Sequence, residues 1–228
     1  MQGWNLLKLD ASNHLAPAEF TAFVEQQGPS LQPDVVIYCI CLNDVPSRIT
    51  DVFMADNSRN KARFKLFPES LREFFKRKAV YRLARDSYRE ARFHQLDFSS
   101  LPTPPPTAEF WDRVRAELKN LKQAVEKLNA RLYCLIVPFS YQVLPANGDL
   151  YSINQQWQAC LDDNHIPWVD LTSLFNPENV LRYFALGDYI HLNDQGHALI
   201  AQQAEKLITR PSDYERDPPG KNDSARIP

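Results

Sequence analysis

A run of eight consecutive apolar residues, Val35 to Leu42, restricts the fold of this chain more than any other feature. The run is too short to span a membrane as a helix. Its β-branched residues predict a strand of a parallel sheet, buried on both faces. Shorter segments predict three further strands: Asn5 to Leu9, Leu132 to Val137, and Trp168 to Leu171.

Helical patterns lie between these strands. Pro17 to Gln27 has proline in its first turn and Gly28 just after its end. Thr107 is a predicted N-cap for a long helix whose apolar residues recur every three or four positions, at Trp111, Val114, Leu118, Leu121, Val125 and Leu128. Two later helices are predicted at Leu150 to Asn164 and at Asp194 to Leu207, the second capped by Asn193. Strands that alternate with helices predict an α/β domain with a parallel sheet.

Composition and charge exclude several functional classes. The formal net charge of −2 provides no general attraction for nucleic acid. With 6 glycines, the chain has no glycine-rich phosphate-binding motif, and we expect no cofactor and no metal site. The four cysteines are predicted to be buried thiols. There is no transmembrane stretch and no signal-peptide pattern at Met1, and the compartment stays open.

A basic segment interrupts the alternation of strands and helices. Residues 46–100 contain 13 Lys and Arg against seven Asp and Glu. We interpret residues 46–107 as a basic helical insertion with a proline-rich end, within a single domain of residues 1–210. The insertion could pack on the domain, cover a site, or contact an anionic membrane surface. The polar tail, residues 211–228, is predicted to be disordered.

Candidate catalytic residues follow two of the predicted elements. Ligands of open parallel sheets bind at the carboxyl ends of the strands, and Asn43 and Asp44 directly follow the first apolar run. Asp44 can accept backbone N–H groups and hold this loop. Further along, Asp188 precedes His191 by three residues, so its carboxylate can orient the imidazole as a general base.

These segments resemble the SGNH (GDSL-type) hydrolases. Pro33 to Asp44 is similar to the family's block III, and Asp188 to His197 is similar to its block V. The resemblance implies a three-layer αβα sandwich and hydrolysis or transfer of an O-acyl (acetyl) ester by a Ser-His-Asp mechanism. It further implies that His191 is the general base, Asp188 its orienting acid and Asn43 an oxyanion donor. The implied substrate is a small-molecule or carbohydrate ester.

The sequence departs from this family where the nucleophile should be. The Gly-Asp-Ser block and its central strand are missing, and Asp10 stands where the family has an oxyanion-hole glycine. Ser12 is a weak candidate nucleophile, because it lies too few residues before Asn43. We therefore expect the chain as given to be inactive, with its first strand encoded upstream of Met1. The alternative is a non-catalytic SGNH-like module that binds an acylated or carbohydrate ligand. Neither the acyl acceptor nor the oligomeric state follows from the sequence.

Overall fold

The computed structural model describes residues 16–44, 87, 91, 106–144, 148–185 and 190–210, with the backbone alone at 43 and 148–151. Its sheet has three parallel strands in the order β1-β2-β3. These strands are β1 (Val35–Cys41), β2 (Arg131–Val137) and β3 (Trp168–Asp170). The sheet confirms the predicted α/β class.

The α-helices that the described ranges cover in full are α1 (Pro17–Leu31), α2 (Ala108–Lys127), α3 (Gly148–Asp163) and α4 (Asp194–Thr209). Residues 87 and 91 are also helical. The connections that the structure describes contain the short 3₁₀-helices η1 (Leu42–Asp44), η2 (Ser140–Val143), η3 (Leu171–Leu174) and η4 (Val180–Tyr183). No helix in the described ranges is long and apolar enough to cross a membrane.

The helices form a layer on each side of the sheet. α2 packs against both α1 and α3, and it also contacts β2. α4 lies against β2 and β3. Residues 132–137 of β2 are all buried, although successive side chains of a strand point to opposite faces. Both faces of β2 are therefore covered, as an αβα sandwich requires.

The apolar stripe predicted for the long helix is the buried face of α2. Leu118, Leu121 and Val125 are completely buried, and Trp111 and Val114 are nearly so. The helix begins at the predicted cap, where the Thr107 side chain accepts a hydrogen bond from the Phe110 N–H at 3.3 Å. Burial of this stripe against the sheet supplies most of the free energy that holds such a helix in place.

The predicted end of the first helix is wrong. α1 continues through Gly28 and Pro29 to Leu31, and Gln32 ends it in the left-handed conformation with φ 46°. Glycine at position 28 allows α1 to lie close to the end of α2. A Cβ at Gly28 would come within 2.3 Å of Leu128 Cδ1.

The predicted burial of β1 on both faces is also wrong. Tyr38 and Ile40 are buried, and the Tyr38 ring stacks on Phe20 of α1 at 5.2 Å. Cys39, on the opposite face, is exposed, and Cys41 is half-buried, whereas Cys134 and Cys160 are buried as predicted. One face of β1 packs on α1, and the other is open to solvent at Cys39.

Several predictions concern residues outside the described ranges. These are the strand Asn5 to Leu9, nearly all of the basic insertion 46–107, and the tail 211–228. They stay predictions.

Candidate functional site

The carboxyl ends of all three strands share one local design. A 3₁₀-helix follows each described strand within two residues, and one side chain in that helix or at its N-cap accepts a backbone N–H. Asp44 Oδ2 accepts from Cys41 N at 2.7 Å, Gln142 Oε1 from Phe139 N at 2.8 Å, and Asp170 Oδ1 from Thr172 N at 2.8 Å. Such bonds satisfy N–H groups that a helix start leaves without an intrahelical acceptor, so they fix the direction in which the chain leaves each strand.

The turn after β1 carries the first predicted site residue. Asn43 is the middle residue of η1, and its backbone lies directly past the carboxyl end of β1. The predicted role of Asp44 is confirmed, since its half-buried carboxylate closes this turn. A charged acceptor at this distance makes a stronger hydrogen bond than a neutral one.

Asp44 also shapes the electrostatics of this strand end. Burial raises the pKa of the Cys41 thiol well above its usual range, and the nearby Asp44 carboxylate raises it further. The phenol pKa of Tyr38 is raised by the same two causes. Because the thiolate is the reactive form of cysteine, Cys41 is a poor nucleophile at neutral pH.

His191, the second predicted site residue, lies in a segment, residues 191–193, that backbone hydrogen bonds hold against residues 183–185. The carbonyl of His191 accepts from Ala185 N at 2.7 Å, and Asn193 N donates to the Tyr183 carbonyl at 3.0 Å. Phe184 and Leu192 form an antiparallel bridge between these bonds. The His191 side chain itself is exposed, so it can meet a ligand without displacing the core.

Asn193 connects this loop to α4. Its side-chain oxygen caps the helix by accepting from Gln195 N at 2.9 Å and Gly196 N at 3.0 Å. Its amide nitrogen donates to the carbonyls of Arg182 at 2.7 Å and Phe184 at 3.2 Å. The predicted cap is confirmed, and the same side chain holds η4 against the helix start.

Gly196 permits this close approach. A Cβ at position 196 would lie 2.3 Å from the Tyr183 carbonyl oxygen. The obstacle is backbone, which cannot swing aside as the end of a long side chain could. Glycine is therefore required for η4 and the first turn of α4 to meet.

Three predicted site residues lie outside the described ranges: Asp10, Ser12 and Asp188. Ser140, which follows β2, is completely buried, so the structure keeps its hydroxyl away from a substrate in solution. Of the residues predicted to act together, the structure describes the His191 side chain and the Asn43 backbone. Asn43 follows β1 directly. The segment of His191 is bonded to the end of η4, and η4 contacts η2, which follows β2.

Sequence reasoning missed a set of polar side chains beside this edge. Gln142 and Asn154 are 4% and 3% exposed, and hydrogen bonds connect them to Thr172. A glutamine three residues after the start of a turn is a recognisable capping pattern and could have indicated Gln142. Nothing local marks Asn154, which lies in the middle of α3.

The described residues contain no group of three or more His, Cys, Asp or Glu that could hold a metal ion. His197, exposed in the first turn of α4, does not form such a group with His191 there.

Comparison with known proteins gives one match. The model of the GDSL-like lipase/acylhydrolase family matches residues 10–199, which is most of the chain. Neither the curated proteins nor the solved structures give a match.

Proposed function

Because the chain belongs to the GDSL-like lipase/acylhydrolase family, we propose that its chemistry is the hydrolysis or transfer of an O-acyl ester group. The proposed substrate is a small-molecule or carbohydrate ester. The observation that carries the proposal is the exposed His191 in a segment that backbone hydrogen bonds hold against residues 183–185, within the span that matches the family.

The proposed mechanism assigns one role to each candidate residue. A serine Oγ attacks the ester carbonyl carbon while His191 takes the hydroxyl proton, and Asp188 stabilises the imidazolium. Asn43 donates a hydrogen bond to the oxyanion and so stabilises the negative charge that develops in the transition state. The C–O bond to the alcohol then breaks, and His191 returns its proton to the departing oxygen. Water or an acceptor hydroxyl releases the acyl group in a second, equivalent step.

The nucleophile is the part that the family pattern does not place in these 228 residues. We propose that a Gly-Asp-Ser block encoded upstream of Met1 supplies it, and that the chain as given has no ester turnover. The position of Asp10 supports this, because a residue that stands where the family's second block has its glycine leaves the first block before Met1.

The test compares two proteins, the chain as given and the same chain extended by the codons in frame before Met1. We expect turnover of p-nitrophenyl acetate in the extended protein alone. The variant His191→Ala should reduce kcat by a factor of about 10³ or more, since the base and nucleophile act as a unit.

The control for this test is His197→Ala, which removes another exposed imidazole six residues away and should leave kcat unchanged. Equal losses in the two histidine variants would overturn the role of His191. Turnover by the chain as given, abolished in Ser12→Ala, would instead make Ser12 the nucleophile.

A second candidate function is a non-catalytic module that binds an acylated or carbohydrate ligand. Asp10 in place of the family's glycine is the observation that favours it. An in-frame stop codon directly before Met1, no turnover, and calorimetric binding of an acetylated sugar that persists in His191→Ala would support this candidate. Turnover in the extended protein would exclude it.

A further inference from the structure

A chain of buried hydrogen bonds joins the exits of β2 and β3. Gln142 Nε2 donates to Asn154 Oδ1 at 3.3 Å, and Asn154 Nδ2 donates to Thr172 Oγ1 at 3.1 Å. Gln142 belongs to η2, Asn154 to α3 and Thr172 to η3. The three side chains therefore connect three separate elements at one edge of the sheet.

The direction of these hydrogen bonds is fixed from one end. The Phe139 N–H can only donate, so the Gln142 atom facing it must be the carbonyl oxygen. This leaves the Gln142 amide group toward Asn154, whose oxygen must then accept and whose own amide group must face Thr172. The side-chain amides of Gln142 and Asn154 thus each have one orientation in which all their hydrogen bonds form. Removal of any of the three side chains leaves a partner group without its hydrogen bond.

The elements at both ends of this hydrogen-bond chain, η2 and η3, support η4. η2 lies directly against η4. On the other side, η3 continues into Phe175, whose ring packs against Tyr183 at 5.5 Å and against Phe184 at 6.0 Å. The spacing of η2 and η3, which the hydrogen bonds determine, sets the surface on which η4 rests.

η4 in turn holds the loop of His191. Asn193 donates to the carbonyls of Arg182 and Phe184, and the Tyr183 carbonyl accepts from Asn193 N. A displacement of η4 would therefore move Asn193 and, through the Phe184–Leu192 bridge and the bond from Ala185 N, the backbone of His191. No contact between the buried amides and His191 is needed for this effect.

We propose that Gln142, Asn154 and Thr172 are positioning residues for His191, acting through η2, η3 and η4. The catalytic part of this proposal rests on the proposed function. The structural connection from the three residues to the His191 segment does not depend on any activity. The three residues hold the general base where it can take a proton, and none of them touches substrate.

Hydrogen exchange of the full chain tests the connection directly. In Asn154→Leu, we expect the amides of Ala185 and Asn193, which hold the His191 loop, to exchange about tenfold faster relative to the amide of Leu118 in α2. A role confined to the packing of α3 would change these rates together.

Asn164→Leu is the matched control, because it makes the same substitution directly after α3, the helix that contains Asn154. Asn164 Nδ2 donates to the carbonyls of Arg115 and Cys160, away from η2 and η3. It should lower stability without changing the ratio of the rates. An equal change of the ratio in both variants, or none in Asn154→Leu, would overturn the proposal.

Two milder variants keep the proposal testable if Asn154→Leu does not fold. Thr172→Val removes one acceptor at a half-buried position and should raise the same ratio about threefold. Gln142→Glu should raise the ratio as well, because its carboxylate can still accept from Phe139 N but has no donor for Asn154 Oδ1. An unchanged ratio in either variant would contradict the proposal.

Kinetics of the extended protein separate this inference from the proposed function. In Asn154→Leu, kcat for p-nitrophenyl acetate should fall about tenfold with KM within twofold, since a misplaced base affects the transition state. If Asn154→Leu accelerates exchange at Ala185 and Asn193 but the parent protein has no ester turnover, the proposed function is refuted and the structural connection to the His191 segment is supported. Turnover that is insensitive to Asn154→Leu, with unchanged exchange, would remove the connection alone.

Discussion

Asn193 does more than an N-cap residue requires. Its oxygen accepts two backbone N–H groups of α4, as a cap does, and its nitrogen donates to two carbonyls of the preceding segment. Aspartate is as good a cap as asparagine in general. Here aspartate would place a carboxylate oxygen against the Arg182 carbonyl, where a donor is needed.

We predict that Asn193→Asp destabilises the protein by about 1–2 kcal/mol, as much as Asn193→Ala, although Asp normally retains the capping energy. Guanidinium unfolding followed by tryptophan fluorescence measures the difference. Thr107→Ala is the reference for an ordinary cap, since Thr107 makes a single exposed cap bond, and it should cost less than about 1 kcal/mol. Wild-type stability of Asn193→Asp would show that only the cap matters.

Among the elements, α1 and α2 depend on one close contact. Gly28 faces Leu128 so closely that an added Cβ would come within 2.3 Å of the Leu128 side chain. Alanine is otherwise preferred over glycine inside a helix by about 0.5–1 kcal/mol. Overlap and helix propensity therefore act in opposite directions at position 28.

A double-mutant cycle at these positions should separate the two effects. Gly28→Ala alone is expected to cost up to about 1 kcal/mol, because the Leu128 side chain must move to relieve the overlap. In a Leu128→Ala background, the same substitution should be neutral or stabilising by up to about 1 kcal/mol. Free energies of unfolding of the four proteins check this, and simple additivity would contradict it.

The elements show what the sequence could and could not predict. The stripe of α2 and its cap at Thr107 follow from residues within one helix, so local patterns predicted them correctly. The end of α1 was wrong because Gly28 looks like a helix terminator, whereas it packs on Leu128, which lies far along the chain. β1 was wrong on one face because an apolar run does not show which side another layer will cover.

At the scale of the molecule, buried thiols make stability depend on pH. Burial raises the pKa of Cys160 from 9.0 to about 11. Between these values the unfolded chain releases the thiol proton while the folded chain keeps it. The thiol therefore favours the folded state less and less as pH rises above 9, and its full contribution is present below that pH.

We predict that the stability advantage of the wild type over Cys160→Ala shrinks by about 1 kcal/mol between pH 8 and pH 10. Urea unfolding of both proteins at several pH values measures it. The comparison within a pair removes the titration of other groups that both proteins share. Two curves that stay parallel over this range would contradict the predicted shift.

The candidate site was predictable only in part, and distance along the chain explains the limit. Asp44 and Asn193 act on backbone groups within a few residues, and their local roles were predicted correctly. Gln142, Asn154 and Thr172 lie 12 and 18 residues apart, and only the folded sheet brings their elements together. The hydrogen bonds from Asn193 to the Arg182 and Phe184 carbonyls could not be predicted either, because they too depend on how the folded elements meet.

Closure of each strand exit by a neighbouring side chain also bears on how such a protein can diversify. The hydrogen bond that Cys41 N donates to Asp44 is complete within four residues, so this closure of the strand end uses no residue of the long segment that follows it. Segments of different length and sequence can then be inserted or exchanged after Asp44 while the strand end keeps its direction. The edge of the sheet serves as a fixed frame, and substrate range can change through the loops attached to it.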